Sequence, residues 1–153
     1  MLAIVVGTGA AAAAPTAPND GTLILKNGVG RFVFNGKGAV IGRFDAGKVT
    51  IKDPNPNDGT GPIVWGADAE TSINDKTTLY KGVDIRFRII GGKSVVTVNG
   101  AGIKLSAIGT GTITLEGRGT FDDGSYALNG GPQQDMPLFA ETFQLAATSP
   151  PGG

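Results

Sequence analysis

Apolar and polar residues alternate along most of the chain with a period of two. Lys48-Val49-Thr50-Ile51-Lys52 puts Val49 and Ile51 on one face, and Asp84-Ile85-Arg86-Phe87-Arg88-Ile89 keeps the alternation for its whole length. Shorter runs of the same kind are Thr22-Leu23-Ile24-Leu25-Lys26, Arg31-Phe32-Val33-Phe34, Val95-Val96-Thr97-Val98 and Thr112-Ile113-Thr114-Leu115-Glu116. This period marks half-buried β-strands, because successive side chains point to opposite faces. Asn27-Gly28, Asn35-Gly36 and Asn99-Gly100 follow strand-like runs. Asn-Gly supplies the positive φ angles of a tight hairpin, so each is expected to reverse the chain, and Asn129-Gly130 to close another hairpin. Only 67–75 and 133–140 have room for a helical turn. The pattern predicts an all-β domain of about ten to twelve strands, an antiparallel sandwich or a closed barrel.

Composition sharpens this picture. The 153 residues include 26 Gly and 9 Pro, a share that elsewhere accompanies disorder. Here the glycines fall between alternating runs, where turns and sharp bends need them. Several recur at an offset of 64: Asn35-Gly36-Lys37-Gly38 lies over Asn99-Gly100-Ala101-Gly102, Gly47 over Gly111, and Val49-Thr50-Ile51 over Ile113-Thr114-Leu115. Residues 19–82 and 83–146 are then two copies of one unit, joined at Gly82-Val83. The competing reading is chance among glycines in two strand-rich segments.

The ends read differently. Residues 1–14 run MLAIVVGTGAAAAA and are followed by Pro15 and Pro18. Gly7-Thr8-Gly9-Ala10-Ala11-Ala12 fits a dinucleotide-binding turn, but that turn needs a following helix, and the prolines stop one. An apolar run ending in small residues reads better as a signal-peptide-like leader over 1–18, although no positive residue precedes it. It is too short for a transmembrane helix. Residues 147–153 read ATSPPGG and are expected to be a disordered tail. The single β domain is expected over 19–146, in a secreted or cell-envelope protein.

The chain has no Cys and no His, with 13 basic and 13 acidic residues. Disulfide scaffolds, Cys/His zinc sites, thiol nucleophiles and His-based triads are excluded. A neutral chain has no overall pull toward nucleic acid. The nearest approach to a metal site is Asp53-Pro54-Asn55-Pro56-Asn57-Asp58-Gly59. Asp53, Asn55, Asn57 and Asp58 are spaced like calcium ligands, since Ca²⁺ takes six to eight oxygens. Gly59 falls one place late for the loop glycine, and Val64 stands where the bidentate Glu belongs. The competing reading is a proline-stiffened connection.

Candidate ligand contacts are Trp65, Tyr80 and Tyr126, with Arg86 and Arg88 as a basic stripe opposite Ile85 and Phe87. A lone Trp in an apolar strand reads first as core. Arginines on a strand face read first as protection against edge-to-edge pairing. Most carboxylates stand beside Gly, Pro or Asn, as turn residues do.

The runs GRFVFNGKGAVIGRF, GKVTIKDPNPNDG, DIRFRIIGG and GIKLSAIGTGTITLEGRGT, with DDGSYALNGGP, resemble a group of secreted β-proteins from high-GC Gram-positive bacteria. The resemblance spans most of 21–146. It implies export and a β fold, and it transfers no activity and no site residue. The expected function is a non-catalytic exported module that binds a ligand, glycan or protein partner, or has a structural role. The alternatives are a carbohydrate-active enzyme using two carboxylates, and a self-associating structural subunit, so the oligomeric state stays open.

Overall fold

The computed structural model describes residues 20–57, 59, 61–120 and 122–146. The expected leader and tail lie outside the described residues. Every regular element is a strand: β1 Gly21–Lys52, β2 Ile63–Trp65, β3 Ala69–Asn74, β4 Thr77–Ile89, β5 Lys93–Gly117, β6 Ser125–Leu128, β7 Gln134–Asp135 and β8 Glu141–Leu145. All belong to one antiparallel sheet, ordered β2-β4-β1-β5-β8, with β3 on β4, β6 on β1 and β7 on β6. The sheet is not closed. The two segments with room for a helical turn instead contain β3 and β7.

Among the described residues there are eight strands rather than ten to twelve, because three of the expected hairpins are absent. Asn27-Gly28 and Asn35-Gly36 lie inside β1, and Asn99-Gly100 lies inside β5. The chain runs on through them because β1 and β5 pair with each other twice. Phe32 faces Val98 on one side and Leu115 on the other, and Phe34 faces Val96 and Ile113. A residue with partners on both edges cannot also belong to a turn. Asn27 spends its positive φ (52°) at a register shift between Leu25 and Gly28. Asn129-Gly130 is the one real turn of the four: both residues have positive φ, and the Gly131 N–H donates to the Leu128 carbonyl.

Double pairing makes the sheet coil on itself, so that one face becomes the interior. A single cluster contains Phe32, Phe34, Phe44, Phe87, Ile113 and Leu115, all essentially inaccessible to solvent. The coil is tightest where glycine faces glycine: Gly30↔Gly117, Gly36↔Gly111, Gly38↔Gly109 and Gly47↔Gly100. A methyl group added to Gly36 would run into the Thr110 carbonyl oxygen, and one added to Gly111 into that of Asn35. These backbones approach too closely for any side chain.

The pairing register recurs at an offset of 64. Shifted by 64 positions, Ile63↔Arg88 becomes Ala127↔Ile24, which is an observed pair. Gly36↔Gly111 becomes Gly100↔Gly47, also observed. The β4–β1 pair Thr78↔Ile51 becomes Thr142↔Leu115, one residue from the observed Thr142↔Thr114. β4 runs unbroken through Gly82-Val83, and the equivalent place is where the two ends of the domain meet. There the Asn129 side-chain carbonyl accepts from Thr22 N–H (3.2 Å) and Ala146 N–H (3.3 Å).

Candidate functional site

Trp65 lies outside the core. β2 is a three-residue edge strand, and alternation leaves it one inward position, Val64, which packs against the core cluster. Ile63 and Trp65 therefore face solvent, and Trp65 is 49% exposed. Its register with β4 sets it opposite Arg86, with Ile63 opposite Arg88. Arg86 and Arg88 share the outer face because Ile85, Phe87 and Ile89 fill the inner one. The Arg88 guanidinium lies over the Trp65 ring, 5.9 Å from its centroid. So the structure brings Trp65, Arg86 and Arg88 together.

Two cations that the sequence did not single out complete the surface. Arg43 of β1 sits between Arg86 of β4 and Lys104 of β5, directly opposite each. Trp65, Arg86, Arg43 and Lys104 thus form one row across four strands. The next row is Ile63, Arg88, Ile41, Ser106 and Ile24, in which the three isoleucines are about half exposed. Between the rows runs an open groove of about 500 Å³. Among the described residues Asp45 is the only carboxylate paired here, 3.8 Å from Arg43. Asp84 lines a neighbouring hollow with Trp65, Gly66 and Arg86. Among the described residues Arg86, Arg88 and Lys104 form no ion pair, and the buried Nε of Arg88 has no hydrogen-bond acceptor. Like charges set directly opposite each other cost roughly 0.2–1 kcal/mol per pair, so folding alone does not favour this row.

The other candidates separate from it. Tyr126 is a core residue, 5% exposed, with its ring 5.5 Å from that of Phe143. Tyr80 is half-buried between Val49 and Glu70. Burial, and secondarily a nearby carboxylate, raises the pKa of both phenols above the ordinary value and keeps them protonated. The Asp53 carboxylate accepts from the Asn55 N–H (2.9 Å), closing a local turn of the connecting segment. Asn55 and Asn57 are exposed beside it, and Asp58 lies outside the described residues. Among the described residues no three acidic groups are placed to hold a metal ion.

Asp122, Asp123 and Asp135 line a smaller hollow of about 250 Å³. Two of these carboxylates are tied into turns. Asp122 accepts from Gly124 N–H (3.0 Å). Asp123, 8% exposed, accepts from Gly119 N–H (2.6 Å), Thr120 N–H (3.1 Å) and the Thr120 hydroxyl. The Thr120 hydroxyl, with the backbone donors of this turn, holds the Asp123 carboxyl below its ordinary pKa despite burial. A glycosidase acid needs the opposite shift.

Asp123 therefore carries a pH prediction. A lowered folded pKa stabilises the fold above the unfolded value, near 3.9, and that contribution is lost as pH falls through the folded value. Asp123→Ala is expected to cost about 1 kcal/mol at pH 7, since it removes the charged acceptor of the Gly119 and Thr120 hydrogen bonds that hold this turn. In urea unfolding across pH 7 to 2, the gap between wild type and variant should close at the acid end. A gap constant with pH would show that the carboxylate charge plays no part.

No protein-family model, no curated protein and no solved structure matches the chain. The functional reading therefore rests on the geometry. Among the described residues no helix is long and apolar enough to cross a membrane.

Proposed function

We propose that the protein is an exported, non-catalytic binding module whose ligand carries negative charge and lands on the Trp65 groove. The observation behind this reading is the row Arg86, Arg43 and Lys104, like charges facing one another across three strands beside a half-exposed tryptophan. An anion seated along the row removes the repulsion. Export is supported by the leader-like residues 1–18 and by the resemblance to secreted β-proteins. We further propose that 19–82 and 83–146 arose by duplication, which the recurrence of register at 64 supports. The two units are not functionally equivalent, since the position matching Trp65 is Asn129.

Retention on a sulfonate matrix at pH 7 and low salt tests the anion reading. The formal net charge is +0, so retention requires a local basic surface. Wild type should be retained, and the double variant Arg86→Ser/Lys104→Ser should elute early. Equal retention of the two would refute the reading. Intact-mass measurement on the native culture medium should find chains that begin near Pro15 to Asn19. Full-length protein confined to the cytosol would refute export.

A further inference from the structure

We infer that the groove takes an acidic polysaccharide, a chain of uronic acid residues laid across the strands with its carboxylates on the cationic row. This rests on the anion-binding reading above and names its ligand class. Four features of the groove carry it.

The first is spacing. Arg86, Arg43 and Lys104 stand on neighbouring strands, one per strand, so the cations repeat at the interstrand distance of about 4.8 Å. In an extended 1,4-linked uronan successive sugars turn over, so carboxylates on one edge recur at every second sugar, about twice the interstrand distance, which matches Arg86 and Lys104 two strands apart. The second is the pairing of rows. Beside the cations runs the row of Ile63, Ile41 and Ile24, interrupted by Arg88 and Ser106. A pyranose ring has an edge that bears the carboxylate and a C–H face that is apolar, and the two rows offer a partner to each. The third is Trp65 at the end of the cationic row. One face of the indole meets Arg88, and its remaining exposed surface is a platform for the C–H face of a sugar. The fourth is shape. The groove is open to solvent, so a long chain can settle on it without entering a closed cavity. From Trp65 to Lys104 the row spans about 14 Å, room for roughly three sugars.

Other polyanions fit less well. Single-stranded nucleic acid is held by successive aromatic platforms and a basic track, and this groove has one aromatic ring. An anionic membrane needs a continuous protruding apolar surface, and here Ile41 lines the groove while Arg88 and Ser106 interrupt the isoleucine row.

The test is titration of intact protein, followed by Trp65 fluorescence, the chain's only tryptophan. The probes are a short oligogalacturonate, a neutral glucan oligomer of equal length, oligo-dT and phosphatidylglycerol vesicles. The uronate should saturate the signal, its Kd should rise with salt, and the neutral oligomer should bind at least about tenfold more weakly. Arg86→Ala and Lys104→Ala should each raise the uronate Kd about tenfold or more. Trp65→Ala should do the same, read by calorimetry. Lys48→Ala should leave it unchanged, since it removes one charge from a different like-charge pair, Lys48 with Lys81, away from the row. Circular dichroism confirms that each variant is folded. Equal affinity for the neutral oligomer would overturn the assignment of carboxylates to the row. Binding of oligo-dT or vesicles without the uronate would overturn the polysaccharide and leave the anion reading standing. Absence of binding to every anionic probe would overturn both.

Discussion

Gly36→Ala is expected to destabilise the domain by about 3 kcal/mol or more, a fall in Tm on the order of 10 °C. The effect is large because the obstacle is backbone. The new methyl meets the Thr110 carbonyl oxygen and the Cα of Gly111, and neither can turn aside as a side chain would. Relief requires the β1–β5 ladder to open locally, and that ladder carries Phe34↔Ile113 two pairs away. Opening it loosens the centre of the core. Gly61→Ala is the control, since an added methyl there meets nothing within 4 Å and the effect should stay within about 0.5 kcal/mol. Thermal unfolding of the three proteins followed by circular dichroism makes the comparison. Equal midpoints would show that β1 and β5 are not held so closely.

The second large effect concerns where the chain can be cut. If the halves are copies, the Gly82-Val83 junction and the meeting of chain ends near Gly21 and Ala146 are equivalent seams. A circular permutant that joins Ala146 to Gly21 through a short linker and opens at Gly82-Val83 is expected to fold cooperatively. This runs against the usual rule, since the cut falls in the middle of β4, where Gly82 and Val83 pair with Gly47 and Ala46. It should succeed because the natural ends already leave such a gap, bridged by Asn129. Opening at Asn99-Gly100, also mid-strand but at no seam, is expected to leave the chain unfolded. Urea unfolding separates these outcomes. Loss of folding in the first permutant alone would contradict the equivalence.

The strand character of this chain was legible because alternation is local. Val49 with Ile51, and Ile85 with Phe87 and Ile89, point inward just as a period of two requires. The strand ends were not legible. Asn35-Gly36 carries a hairpin signal, yet whether it turns depends on what its flanks pair with. Asn35 pairs with Val95 and Thr112, far off in sequence, and nothing local announces this. The glycine that reads as a turn is needed instead for close approach to Gly111. Asn129-Gly130 behaves as expected because its connection is short and its flanks are free to reverse.

The candidate site was half legible for the same reason. Arg86 and Arg88 announce an outer face through their alternation with Ile85, Phe87 and Ile89. For Trp65 both a ligand contact and a core position can be read, because an apolar triplet shows no parity of its own; the edge position puts Val64 inward and Trp65 outward. Arg43 and Lys104 look like ordinary strand cations. Only the register, Arg43 opposite both Arg86 and Lys104, turns them into a row. Tyr126 reads as a candidate ligand contact because it is an aromatic in a strand-like segment, but that segment pairs with β1 at Leu25 and carries the ring into the core.

The central claim is that one face of the sheet is a binding surface, and backbone amide chemical shifts during titration with oligogalacturonate test it most directly. The account predicts saturable shifts confined to Ile41–Arg43, Ile63–Trp65, Arg86–Arg88 and Lys104–Ser106, with the Asp122–Asp135 hollow unmoved. Shifts centred on that hollow, or none in the groove at saturating ligand, would contradict it.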